Sequence, residues 1–253
     1  LVPDERRGLT ELNGEGEAVV DALRAARHAA DAAGLALNGQ LFLMGYSQGG
    51  YATLAAQREI EAGHAAEFRI TASAPSAGAY DLSGTVADDF LSGRVPPNPY
   101  LYPYVLSAYV PIYRFAPDLG SLLRAPYDST VPPLYDGTHD SGVINAALPA
   151  RPSEALRPEV LEAFRTDPEH PIRRALREND LYRGWVPQSR TRFHHCAGDL
   201  DVLPANTRVA YETFVAAGAK QVELETRLPA LDHPSCAVLA LLFTKQWFDE
   251  LRQ

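Results

Sequence analysis

Residues 41–50 read Leu-Phe-Leu-Met-Gly-Tyr-Ser-Gln-Gly-Gly, and no other stretch constrains the chain as strongly. Leu41 to Met44 are four successive apolar residues, the pattern of a buried strand. Ala52, Leu54, Ala55, Ala56 and Ile60 then recur as in a helix that stops at Gly63. Between the two runs lies Gly45-Tyr46-Ser47-Gln48-Gly49. Strand, sharp turn and helix is the setting in which a serine hydroxyl is lifted clear of a sheet edge to act as a nucleophile. Ser47 must then hold a strained backbone conformation. Side chains two residues to either side would collide in so tight a turn, which accounts for Gly45 and Gly49. The helix is expected to start at Ser47, with its first amides aimed at any negative charge forming there.

Composition narrows what such a turn can serve. With 253 residues, 46% of them hydrophobic, the chain can build one sizeable domain carrying an insertion. A formal net charge of -9 without a basic run argues against nucleic acid and against a polybasic membrane contact. No apolar segment is long enough to span a bilayer. Lys220 and Lys245 are the only lysines, so arginine carries nearly all the positive charge. The chain opens Leu-Val-Pro-Asp, with neither an initiator Met nor a signal peptide, so no compartment is readable there.

Along the chain, Leu1 to Asp4 has the character of a strand end. A helix is expected over 15–33, where Val19, Val20, Leu23, Ala26 and Ala30 share a face and Gly34 follows. After the serine turn and its helix, Phe68 to Ala74 reads as a strand and residues 75–81 as the loop beyond it. Strands alternating with helices imply an α/β class with a parallel sheet covered on both faces. The rhythm breaks between about Leu82 and Arg190, where prolines abound and Tyr100, Tyr102, Tyr104, Tyr109, Tyr113 and Phe115 cluster. Short helices fit 85–91, 158–164 and 171–178, with Pro158 and Pro171 as first helical residues. The sheet pattern resumes at 191–195, followed by the loop 196–204, a helix over 206–217 and a strand over 221–228. Leu231-Asp232-His233-Pro234 and a last helix over 235–251 complete the chain. The division is therefore 1–81 and 191–253 for the core and 82–190 for a mainly helical insertion lying over the site as a cap.

Ser47 needs a base, and the base needs an orienting carboxylate. His233, after the last strand and before the last helix, has the position of the base. His28, His64, His139, His170, His194 and His195 read as structural or solvated. The adjacent His194 and His195 suggest a metal, but no cysteine, histidine or carboxylate spacing completes a site. For the acid, Asp199 and Asp201 share one loop. Asp199 is preferred by register, Asp201 serves if the loop holds an extra residue, and Asp81 comes third.

These residues resemble a family. Gly45-Tyr46-Ser47-Gln48-Gly49-Gly50, Ala77-Gly78-Ala79-Tyr80-Asp81-Leu82, Arg177-Glu178-Asn179 leading to Trp185-Val186-Pro187, and the loop from Cys196 to Asn206 are similar to the secretory-lipase-like branch of the α/β-hydrolases. The resemblance covers nearly the whole chain. It implies an ester hydrolase, commonly secreted, with a helical cap over an acyl-binding cleft, acting on small or lipid-like esters without cofactor or metal. Ser47 would be nucleophile, Asp199 acid, His233 base, and the Gln48 amide an oxyanion donor. A peptidase or acyltransferase on the same fold, or a scaffold that binds without turnover, are the alternatives.

Two further expectations follow. Cys196 lies three residues before the proposed acid and Cys236 three after the proposed base, so a disulfide is feasible if Asp199 and His233 touch. The secreted character of the relatives favours it, and with it an extracellular or periplasmic address. The second concerns the 40 residues ahead of the turn strand, which hold too few strands for this fold and would leave one sheet edge unpaired. A lost N-terminal segment or a second chain is expected to cover that edge.

Overall fold

The computed structural model describes residues 11–253, and the strand end expected at Leu1 to Asp4 lies outside them. In chain order the elements begin with α1 (Glu11–Ala32), β1 (Leu41–Tyr46), α2 (Gln48–Gly63) and β2 (Ile70–Ser76). After residues 82–179 come β3 (Thr191–His194), α9 (Ala205–Ala216), β4 (Val222–Glu225) and α10 (His233–Leu251), with α3 to α8 between them. Among the described residues the four strands form one sheet in the order β1-β2-β3-β4, with each neighbouring pair parallel. Among the described residues β1 is an edge strand.

Alternation along β1 divides the core. Leu43 packs with Val20 of α1, Ala56 and Ile60 of α2, Phe68 and Ile70. Phe42 points the other way, with its ring 4.8 Å from Phe248 of α10, where Trp247, Ala72 and Ala74 also pack. Ile70 and Ala72 serve opposite faces although two residues apart, because the register slips: Leu41 pairs with Ile70 but Phe42 with Ala72. Thr71 takes up the extra position, and its hydroxyl accepts from the Leu41 amide at 3.1 Å.

Register also sets where the loops lie. Tyr46 pairs with Ser76, Ser76 with His194, and His194 with Glu225, all at the strands' carboxyl ends. The residues that follow therefore emerge along one edge, the usual place for a site in a parallel sheet.

Leu82–Asn179 form one compact unit and the flanking residues another. Residues 180–190, which the proline-rich pattern assigned to the insertion, are tied to the core unit. The Leu181 amide donates to the Tyr80 carbonyl at 3.0 Å, and Trp185 meets Phe214 of α9 edge-on at 5.3 Å. The 82–179 unit holds α3 (Ala87–Ser92), α4 (Leu101–Tyr113), α5 (Tyr127–Thr130), α6 (Ser141–Ala146), α7 (Pro158–Thr166) and α8 (Pro171–Glu178). Pro158 and Pro171 open α7 and α8 as their chemistry favours. The tyrosine run, which sequence left without an element, is α4. Pro103 falls in its first turn, where an amide has no helical partner, and Pro103, Leu106 and Val110 line its buried side. Two prolines in a 13-residue segment masked the period.

At the serine turn, sterics require glycine at 45 but not, as the motif suggested, at 49. A Cβ on Gly45 would stand 2.1 Å from the Gly49 carbonyl oxygen, as the tight turn requires, whereas one on Gly49 meets nothing within 4 Å outside its own helix. The second constrained position is Gly50, where a Cβ would stand 2.1 Å from the Ser76 carbonyl oxygen. α2 crosses β2 so closely that only glycine fits. Gly50→Ala should therefore lose ~2 kcal/mol or more to strain, whereas Gly49→Ala should be neutral or gain up to ~1 kcal/mol of helix propensity. Denaturation midpoints compare the two; equal midpoints would contradict the close approach at Gly50.

Candidate active site

Ser47 has φ 58° and ψ -123°, a conformation that non-glycine residues seldom adopt. It is held there from both sides. Its amide donates to the Ser76 carbonyl at 3.0 Å, and its carbonyl accepts from Tyr51 at 3.0 Å as the first turn of α2. The opening amides of a helix have no carbonyl of their own helix to bond, and that of Gln48 is the first of them. The Gln48 side chain turns away to donate to Glu15 Oε1 of α1 at 3.0 Å.

His233 opens α10, behind the cap formed by Asp232, whose carboxylate accepts from the Ser235 amide at 3.0 Å. Its Nδ1 donates to Asp199 Oδ2 at 2.6 Å. Tyr46 connects this histidine to the serine turn: its hydroxyl donates to the His233 carbonyl at 2.7 Å, and the two rings lie 4.9 Å apart. Burial, then the negative charges of Asp199, Asp232 and Asp201, push the Tyr46 pKa up, so the phenol keeps the proton it donates.

Asp199 is fully buried. Burial alone would raise its pKa, but hydrogen bonds from His195 and His233 and the attraction of His233 outweigh it and hold the carboxyl at about 2. Oδ1 accepts the amides of Asp201 and Val202 at 3.0 and 2.9 Å. Asp201 thus contributes its backbone to the loop, while Asp199 is the aspartate that meets His233. Asp81 lies elsewhere, buried and accepting from the Tyr182 hydroxyl at 2.9 Å.

Cys196 and Cys236 are bonded, with their Cα atoms 5.9 Å apart. The link joins the loop of Asp199 to the first turn of α10, so the two halves of the Asp199–His233 contact are fastened together. Closing a loop over a sequence separation of 40 stabilises by ~4 kcal/mol on chain-entropy grounds.

Sequence reasoning passed over two groups. His195 lies beside Asp199, with Nε2 3.1 Å from Oδ2. The signal was its position directly after β3, at the sheet edge where Ser47 and His233 also emerge. Gly50 is the other, named in the motif but given no role. His194 is buried among Ser76 and Thr244, each 3.4 Å from its Nδ1, and burial lowers its pKa to about 4. It is a neutral packing residue at neutral pH. Among the described residues no group of three histidine, cysteine or carboxylate side chains could hold a metal ion, and no helix is long and apolar enough to cross a membrane.

Comparison with known proteins bears on the family. The secretory lipase family model matches residues 10–95, the stretch with α1, the serine turn and β2. No curated protein matches the chain. Among solved structures, the rice cell wall degrading esterase LipA from Xanthomonas oryzae is 28% identical with a TM-score of 0.85, covering 96% of this chain and 67% of its own. A hydrolase from Legionella pneumophila is 22% identical with a TM-score of 0.83, over 92% of this chain and 62% of its own. Candida antarctica lipase A in its closed state is 19% identical with a TM-score of 0.66, over 97% and 56%. The last two show the fold alone. The chain spans about two thirds of the length of the Xanthomonas esterase. With this sheet, this serine turn and these similarities, the chain has the α/β-hydrolase fold, resembles the secretory lipases over residues 10–95 and is a carboxylic ester hydrolase.

Proposed function

We propose that the chain cleaves carboxylic esters through an acyl-enzyme, with Ser47 as nucleophile, His233 as general base and acid, and Asp199 as the orienting carboxylate. The observation that carries this reading is the 2.6 Å contact from His233 Nδ1 to a buried, ionised Asp199, at the sheet edge where strained Ser47 emerges. With Nδ1–H held by the carboxylate, Nε2 is left unprotonated and able to take the Ser47 proton. The Ser47 oxygen then adds to the ester carbonyl. His233 returns the proton to the departing alcohol, which leaves the acyl group on Ser47. Water, deprotonated by His233, attacks the acyl carbonyl; the bond to Ser47 Oγ breaks, His233 returns the proton to Oγ, and the carboxylic acid leaves. In both steps the Gln48 amide is the oxyanion donor, a contribution worth roughly 3 kcal/mol of barrier. No cofactor or metal enters this chemistry.

The substrate is a small or lipid-like ester, and the family together with the buried disulfide supports an extracellular address. The test is a panel of p-nitrophenyl esters graded by acyl length, an acylated plant cell-wall polysaccharide, and peptide amides, each incubated with the protein. Turnover of esters with none of the amides is the expected result. Amide cleavage matching the best ester would replace this reading with a peptidase.

A further inference from the structure

Asp199 carries two imidazoles, and only one has a part in the reaction above. His195 Nε2 lies 3.1 Å from Asp199 Oδ2, the oxygen that also faces His233, and 2.9 Å from the Val202 carbonyl oxygen. An ionised carboxylate and a carbonyl are both acceptors without protons, so Nε2 bears the hydrogen. Nδ1 is 2.6 Å from the Thr207 hydroxyl on α9, which donates to it in the neutral ring. His195 and Thr207 are both buried. A chain of contacts thus runs from the α9 helix through Thr207, His195 and Asp199 to His233, and every lone pair on Asp199 Oδ2 has a donor.

We propose that His195 is a positioning residue for the ester hydrolysis: its Nε2–H fixes the direction of Asp199 Oδ2 toward His233 and draws charge from that oxygen. The proposal rests on the Ser47–His233–Asp199 reading. Two consequences are distinct from mere packing. Without the His195 donor the carboxylate swings more freely, and His233 spends less time aligned for proton transfer. The charge on Oδ2 also becomes more concentrated, which stabilises the His233 cation and raises the pH at which the base becomes protonated. Among the ionisable groups around this site, Asp232 ahead of α10 interacts with both Asp199 and His233, and Tyr46 from β1 lies in the field of Asp199, Asp201 and Asp232; none of them is altered in the variants below.

The experiment measures kcat, KM and the pH profile of kcat/KM on one p-nitrophenyl ester for the full chain and for His195→Ala, Thr207→Val and Thr207→Ser. His195→Ala is expected to lower kcat of order tenfold, as when a group supporting a site residue from behind is lost, with KM within twofold. Its acid limb is expected to move up by about half a pH unit. Thr207→Val should show both changes to a smaller degree, and Thr207→Ser, which keeps the hydroxyl, should match the parent. A folded His195→Ala with unchanged kcat and an unmoved acid limb overturns the proposal, even if its melting temperature falls. Should His195→Ala not fold, Thr207→Val against Thr207→Ser decides on the same readouts. The underlying triad reading fails separately, if Ser47→Ala keeps its turnover.

Discussion

Ser47→Ala is expected to abolish ester turnover, lowering kcat by about 10⁶-fold, as removal of a triad serine does elsewhere. The loss removes one oxygen, and the backbone that holds the turn remains: the bond from the residue 47 amide to Ser76 and that from Tyr51 to the residue 47 carbonyl involve no side chain. Stability should change little, and the strained φ of 58° is retained by the same contacts. On the mechanism proposed above, the variant keeps the Gln48 amide as oxyanion donor and His233 as base but has nothing to attack with. Circular dichroism and the melting temperature should overlay with the parent while the ester assay falls to background. Turnover near the parent rate in the folded variant would remove Ser47 from the mechanism.

Asp199→Asn should cost about 10⁴ in kcat, the size seen where the same change was made in another triad. The amide is nearly the same shape, so the fault is electronic. A carboxamide NH₂ turned toward His233 Nδ1 would need Nδ1 as acceptor, which puts the proton on Nε2 and leaves no base for Ser47. The opposite flip would still remove the negative charge that stabilises the His233 cation. The carboxamide would also have to accept from His195 and from the amides of Asp201 and Val202, all built for a carboxylate. Asp201→Asn should fall within a few fold of the parent, because the carboxylate that meets His233 is that of Asp199. A larger loss at 201 than at 199 would transfer the acid role.

Where sequence was legible, the reason is local chemistry. Gly45-x-Ser47-x-Gly49 after four apolar residues admits few backbones, and the strand-turn-helix followed from it. The disulfide was legible because two cysteines flank the proposed acid and base at equal offsets, and residues three apart from touching side chains are themselves neighbours. Where it was not legible, the cause was a contact made across the chain. Gly50 is needed because of the Ser76 carbonyl on the next strand, and nothing in residues 45–50 announces that. His195 looked like half of a packed histidine pair. Only the register of β3 separates the two, burying His194 against α10 and releasing His195 to the acid loop. The preference for Asp199 over Asp201 turned on one residue of loop register, and hydrogen bonds from both following amides to Asp199 Oδ1 set that register. The tyrosine-rich α4 was hidden because its prolines lie where a helix tolerates or absorbs them.

On this mechanism Ser47 forms a covalent acyl-enzyme at the edge of the sheet. A phosphonate ester that arrests serine hydrolases at the covalent stage tests it directly. The protein is treated until turnover stops, then digested and weighed by mass spectrometry. A single adduct is expected, on the peptide containing Ser47, gained in step with the loss of ester hydrolysis and absent from Ser47→Ala. An adduct on another serine with Ser47 unmodified, or complete inhibition without any adduct on Ser47, would contradict it.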